Sequence, residues 1–172
     1  MPRCKVCKDK FEAKYFLQKT CFDPGCILEY SKKETAKEWR KEKKHLKDKL
    51  KTNADHVREL QVIFNKFIRL RDKDKGCISC GTPLIGKFDA GHYYSAGGNP
   101  ELRFNEDNVF GQCVYCNQHR HGALLDYTER LPNRIGLCKF AELKKLRGKP
   151  MKYSIPELIE MKVIYRDKIK EL

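Results

Sequence analysis

Eight of the nine cysteines in this 172-residue chain fall into four close pairs, Cys4/Cys7, Cys21/Cys26, Cys77/Cys80 and Cys113/Cys116, and Cys138 stands apart. No other feature restricts the fold as much. Thiolates three residues apart on a tight turn can both reach one tetrahedral Zn²⁺ at about 2.3 Å, and two such turns close a structural site. Sequence order therefore predicts two structural zinc sites, Cys4, Cys7, Cys21 and Cys26 for the first and Cys77, Cys80, Cys113 and Cys116 for the second. Thirteen residues separate the pairs of the first site, close to the span of a zinc ribbon or short finger. Buried reduced thiols fit this site poorly, because Lys5, Lys8, Asp9 and Lys10 crowd the first pair with groups that resist burial. The start, Met1-Pro2-Arg3-Cys4, has no apolar stretch behind its basic residue, so no secretory leader is expected. The expected compartment is the cytoplasm, where thiols stay reduced and read as metal ligands before they read as disulfides.

A chain of this length makes one compact domain or two small ones. The expected organisation is a zinc module over 1–30, a basic helical arm and a helix over 31–75, a zinc-braced core over 76–125 and helices over 126–172, an α+β class. The hydrophobic share of 40% excludes a wholly disordered chain, and no uncharged apolar run approaches the ~18 residues of a membrane span. The formal charge of +14 is uneven. Residues 1–50 hold fifteen Lys or Arg against eight acids and residues 122–172 hold twelve against seven, whereas residues 77–121 hold three against four. Positive flanks enclose a nearly neutral middle.

Thirty-two residues lie between Cys80 and Cys113, long for a plain ribbon, so this spacer must hold structure of its own. It contains Asp89-Ala90-Gly91-His92-Tyr93, a Gly97-Gly98-Asn99-Pro100 turn and Arg103 to Phe110, which read as two short strands and a loop. Val114 to His121 lacks a helix breaker until Gly122, so a helix is expected at the second knuckle. This order, with Asp, His and Asn placed as they are, resembles the zinc-stapled HNH or ββα-metal nucleases. Over nearly its full length the chain looks like the phage lambda NinG/Rap family of recombination endonucleases, through the N-terminal cysteine cluster, the Lys-rich stretch and the Asp89 to Tyr93 sequence. The resemblance implies nicking or resolution of branched DNA, such as Holliday junctions and D-loops, in the cytoplasm of a host cell. It also implies an HNH-like ββα-metal core.

Phosphodiester hydrolysis needs a deprotonated water and a cation to neutralise developing charge. The resemblance makes His92 the base, and imidazole suits that role because its pKa lies near working pH. Many HNH motifs place a ligand directly before this His, but here that residue is Gly91. In an extended strand Asp89 shares a face with Gly91 and not with His92, so Asp89 supplies the ligand most easily if a bulge at Ala90-Gly91 brings it forward. Asn108 takes the place of the middle Asn, which in the family pins the loop and helps orient the catalytic His. Asn117 and His121, four apart, would share a helix face as further metal ligands. His119, on another face, is left to solvent or a phosphate. An Asp89, Asn117 and His121 site with open positions suits Mg²⁺ or Mn²⁺ rather than thiolate-bound Zn²⁺.

Ser31 to Lys51 carries ten Lys or Arg against four acids, with i, i+4 rows of Glu34/Glu38/Glu42 and Lys33/Lys37/Lys41 that favour a solvated helix. It reads as a charged linker or, beside a nuclease-like core, as an arm that tracks phosphates through Lys37, Arg40, Lys41, Lys43, Lys44 and Lys47, with Arg120 contributing from the core. No groove-reading pattern is evident, so affinity without base specificity is expected. Thr52 or Asn53 caps a helix ending near Gly76, whose stripe of Val57, Leu60, Phe64, Phe67 and Ile68 is either core or the face of a homodimer. Later helices are expected from Leu124 to Pro132, from Leu137 to Arg147 and from Pro156 to Leu172, the last with a basic outer face that includes Lys162. Cys138, beside Leu137 and Phe140, reads as a buried or spare thiol.

Two readings of function follow. One is a metal-dependent, structure-specific DNA endonuclease; the other is a zinc-stapled DNA-binding or adaptor protein without hydrolytic activity. An adaptor needs the eight cysteines but has no use for Asp89, His92, Asn108, Asn117 and His121 at these spacings.

Overall fold

The Asp23 carboxylate accepts the Cys26 N–H at 2.8 Å and Pro24 occupies the first helical turn, so a helix starts ahead of the fourth cysteine instead of after it. This helix, α1 (Pro24–Lys49), closes the first of two units, Met1–Lys51 and Thr52–Leu172, into which the computed structural model divides the 172 residues, all of them described. Its 26 residues span about 39 Å, longer than the arm expected to begin at Ser31. Only Cys26 is buried along it. The expected divisions after residues 30 and 75 fall inside α1 and inside the second unit; the chain divides instead where Thr52 caps the next helix. No helix is long and apolar enough to cross a membrane.

In the second unit, Thr52 and Asp55 cap each other reciprocally at the start of α2 (Asn53–Asp72). The α2 stripe of Leu60, Phe64, Phe67 and Ile68 packs on Leu158 and Tyr165 of the last helix, α5 (Ile155–Lys170), with Phe104 and Val109 joining the same core. These side chains are occupied inside the chain, so the stripe is not a surface for a second copy. Lys162, expected on the outer face of α5, is instead 7% exposed, its Nζ donating to Glu59 at 2.8 Å and lying 3.0 Å from His56 Nδ1. A buried ammonium is tolerable only with such partners.

Strands β1 (Phe88–His92) and β2 (Val109–Cys113) pair antiparallel, from Phe88 opposite Cys113 to His92 opposite Val109, without a bulge. Successive residues of β2 serve opposite faces. Val109 enters the core under α2 and α5, while Phe110 enters a second core of Ile78, Leu102, Tyr127, Leu131, Phe140 and Leu143. Asp72, wholly buried at the end of α2, is clasped by Arg71 at 2.8 and 2.9 Å and accepts the Gly111 N–H at 2.9 Å. Arg71 also donates to the carbonyls of Val109 and Glu106, at 2.8 and 3.0 Å, which fastens α2 to the hairpin.

Two helices complete the second core, α3 (Leu124–Ile135) and α4 (Leu137–Leu146). Contrary to expectation α3 runs through Pro132, because the buried Leu131 and the partly buried Ile135 hold its last turn against the core until Gly136, at φ +87°, ends it. Cys138 is exposed rather than buried, since Phe140 and Leu143 are the residues of α4 that turn inward. The class is mixed α+β with a small two-stranded sheet.

Candidate functional site

Each cysteine quartet gathers its four sulfurs within 4.8 Å of one another, Cys4, Cys7, Cys21 and Cys26 in the first unit and Cys77, Cys80, Cys113 and Cys116 in the second. The Cys7–Cys21 and Cys80–Cys113 sulfurs lie 3.9 and 3.8 Å apart. A tetrahedron with metal–sulfur bonds of about 2.3 Å has edges of about 3.8 Å, so both quartets fit zinc. Burial by itself raises the Cys4 thiol, but N–H donors from Cys21, Val6 and Cys7 outweigh it and bring its pKa down to about 6. Burial also raises Cys80, and there the Thr82 hydroxyl and N–H prevail, again lowering it to about 6. Burial pushes Cys77 and Cys116 up. Each quartet thus starts with one thiolate formed near neutral pH, the form a metal binds. The second quartet braces the hairpin at its open end, where Cys113 closes β2 opposite Phe88.

At the other end of β1, His92 places Nε2 3.0 Å from the Arg103 carbonyl oxygen. A carbonyl only accepts, so Nε2 carries the proton and Nδ1 the lone pair. Burial, the largest influence, lowers the His92 pKa; the carbonyl contact raises it and the Arg103 charge lowers it further. His92 lines a cleft of ≈ 380 Å³ together with Tyr94, Ser95, Asn99, His121 and Arg147. Asn108, fully buried, accepts the Tyr94 N–H at 2.8 Å and donates to the carbonyls of Tyr94 and Leu102 at 3.0 and 2.9 Å. It closes the neck of the loop from 93 to 108 and so holds Arg103 in place against His92.

His121 reaches this cleft by a route that differs from the expected helix. The turn after the second knuckle is a five-residue π-helix, Tyr115–His119, and His121, Gly122 and Ala123 follow at φ +48°, +88° and +43°. Three successive left-handed residues cannot continue a right-handed helix. Asn117 and His121 therefore share no helix face, a correction to the expected ligand pair. Asn117 instead donates to Asp89 Oδ2 at 3.0 Å, where Gln118 also donates at 2.8 Å. Asp89 and Asn117 are brought together on one side of the hairpin, and His92 and His121 on the cleft side. The cysteine quartets alone gather three or more His, Cys, Asp or Glu ligand atoms at one point.

Gln112, directly opposite Asp89, was not indicated by the spacing of motifs. Its amide donates to Ser79 Oγ at 2.7 Å and to the Gly122 carbonyl at 2.6 Å, and its Oε1 is buried with no partner. A Cβ at Gly91 would collide with that oxygen, so the space ahead of His92 where a ligand was expected is filled from β2. A carboxylate and an orphaned amide oxygen are hard donors of the kind Mg²⁺ and Mn²⁺ take, and the set fits them in chemistry, without His121 converging on it. The available signal was Gln112 itself, a polar side chain inside Val109-Phe110-Gly111-Gln112-Cys113. Arg103 and Arg147 carried no signal in sequence.

Among the basic residues, Lys37 pairs with Glu34 at 3.8 Å and Arg120 with Asp126 at 2.7 Å. Arg40, Lys41, Lys43, Lys44 and Lys47 lie exposed along α1.

The sequence model of a family described as the bacteriophage lambda NinG protein matches residues 1–172. Similar curated proteins carry the name protein ninG. That of Escherichia phage 933W is 35% identical, over 99% of this chain and 92% of its own length. Those of Escherichia phage lambda and Salmonella phage P22 are 41% and 40% identical, each over 72% of this chain and 60% of its own length. No solved structure matches the chain.

Proposed function

Since the chain belongs to the bacteriophage lambda NinG family, we propose that it is a metal-dependent, HNH-type endonuclease that nicks or resolves branched DNA during phage recombination. The observation that carries this reading is the pairing of His92 Nε2–H with the Arg103 carbonyl, which leaves an imidazole lone pair on a residue that lines an open cleft. His92 Nδ1 takes the proton of a water, that water attacks phosphorus, and the bond to the bridging sugar oxygen breaks. Arg147, in the same cleft, supplies positive charge beside the phosphate. Asp89, Asn117 and the Gln112 oxygen would hold a Mg²⁺ or Mn²⁺ ion as hard donors, and its neutralising charge would reach the phosphate beside His92 only once Asp89 and Asn117 turn to the cleft side as DNA binds.

The lowered His92 pKa keeps the imidazole neutral at pH 7, so the acid limb of the rate profile is expected below the ordinary imidazole value of about 6.5. The test is a nicking assay on four-way, looped and linear duplex DNA with Mg²⁺, Mn²⁺ or neither. His92→Ala is expected to abolish cutting while branched DNA still binds. No cutting by the unsubstituted chain with either cation would refute the reading.

The second reading, a zinc-stapled DNA-binding protein without hydrolysis, is favoured by the Asp89 carboxylate, which already accepts from Asn117 and Gln118 rather than meeting His121. Binding of branched DNA without cutting under every cation is its signature.

A further inference from the structure

The first unit carries an apolar cluster that neither the zinc quartet nor the nuclease reading employs. Between the two cysteine pairs, Tyr15, Phe16 and Leu17 are 70%, 93% and 69% exposed. Three consecutive large apolar side chains thus stand in water, outside a small core of Cys4, Phe11 and Cys26 edged by Val6 and Cys21.

The tip is braced in that position. Gln18 Oε1 accepts the Lys14 N–H at 2.9 Å, Gln18 Nε2 donates to the Thr20 carbonyl at 2.8 Å, and the Gln18 N–H donates to the Tyr15 carbonyl at 3.2 Å. One side chain therefore ties both arms of the loop. Leu17 completes the turn at φ +63°, a conformation that L-residues with side chains adopt only against a steric cost. Such strain persists where the surroundings enforce it, and binding loops are a common place to find it.

The charge around the tip says what it meets. Lys14 and Lys19 flank it, and residues 1–22 hold six Lys or Arg against two acids. A basic rim around exposed aromatic rings complements a polyanion that offers flat apolar faces. Nucleic acid is such a polymer, and its base faces are open to stacking only where bases are unpaired. A continuous duplex hides them; a loop, a bubble or the displaced strand of a D-loop does not.

We propose that the Tyr15-Phe16-Leu17 tip is a binding site for unpaired nucleobases, on which Tyr15 and Phe16 stack while Lys14 and Lys19 meet the adjoining phosphates. The choice of DNA rests on the function proposed above, whereas stacking is measured without any cutting.

The experiment uses the full zinc-loaded chain and a duplex with a short central bubble that holds one 2-aminopurine, beside the matched duplex, with Ca²⁺ in place of Mg²⁺ or Mn²⁺. Binding of the bubble is expected to quench the 2-aminopurine. The Tyr15→Ala/Phe16→Ala variant should lose about tenfold in bubble affinity and the quench, with duplex affinity and the salt slope unchanged. Phe16→Trp should keep both affinity and quench, and an unchanged zinc content shows that the variants are folded. An unchanged bubble affinity in the double variant overturns the proposal, as does an equal loss on bubble and duplex. So does a dimer of the unsubstituted chain in light scattering that the double variant turns to monomer, since a second copy would then cover the tip. If the chain cuts branched DNA and the double variant binds bubbles normally, only this inference fails. If nothing is ever cut but bubble preference depends on Tyr15 and Phe16, the inference stands and the nuclease reading fails.

Discussion

Asn108 offers the sharpest test of how the hairpin holds its histidine. Its side chain is fully buried and makes three hydrogen bonds, one accepted from the Tyr94 N–H and two donated to the carbonyls of Tyr94 and Leu102. Asn108→Ala leaves the Tyr94 N–H and carbonyl without partners, each at about 1 kcal/mol or more when buried, while the Leu102 carbonyl still accepts the Asn105 N–H, so a loss of about 2 kcal/mol is expected. With a urea slope near 2 kcal/mol/M, the unfolding midpoint of zinc-loaded protein should fall by about 1 M. Asn108→Asp separates hydrogen bonding from shape. The carboxylate can still accept from Tyr94, but its other oxygen faces two carbonyls with no proton to donate. The introduced acid should therefore have a folded pKa above its unfolded value of about 3.9, because its protonated form can donate. Stability lost to this substitution is largest at high pH and is recovered as pH falls through the folded pKa, measured as the difference from the unsubstituted chain at each pH. Circular dichroism against urea, at several pH values, reads both effects. A cost below about 1 kcal/mol for Asn108→Ala, or an Asn108→Asp variant that is no worse at high pH, would refute the claim that this amide closes the neck of the loop.

The two thiolate quartets predict about two zinc ions per chain by elemental analysis, one lost in a Cys7→Ser/Cys21→Ser variant, with Cys138→Ser losing none. Changing Lys41, Lys43, Lys44 and Lys47 together to Gln should reduce the salt slope of DNA binding, log K against log salt, by up to about 3.5, and an unchanged slope would remove α1 from the footprint. Asp72→Asn should cost about 3 kcal/mol, seen as a lower urea midpoint, because Arg71 is left inside without its counter-charge. Burial opposes ionisation of Asp72, but Arg71, the Gly111 N–H and Lys75 prevail and hold its pKa below the usual carboxylate value. Its stabilising share is thus present above about pH 4 and disappears as pH falls through the lowered value, so the cost of Asp72→Asn should shrink in acid.

Local chemistry was legible in the chain alone. Paired thiols announce their quartets because knuckle spacing and metal geometry are short-range constraints, and Thr52 announces the start of α2 because a capping box is built within four residues. The first strand is readable for the same reason, but the second, expected within Arg103 to Phe110, starts only at Val109 and runs to Cys113, because Arg103 to Asn108 turn to close the loop on Asn108. The candidate site was legible only in part. His92 could be singled out from sequence, but its hydrogen-bond partner is the carbonyl of Arg103, and a carbonyl belongs to every residue alike. The charge rows do not reveal the start of α1 at Pro24, since the Asp23 cap lies ahead of them. The tertiary structure alone decided what long-range contacts decide. It put Lys162 inside against His56 and Glu59, set Gln112 in the space beside Gly91, and turned His121 off its helix into the cleft with His92. Each of these outcomes depends on which distant segment fills a given volume, and residue spacing along a chain carries no record of that.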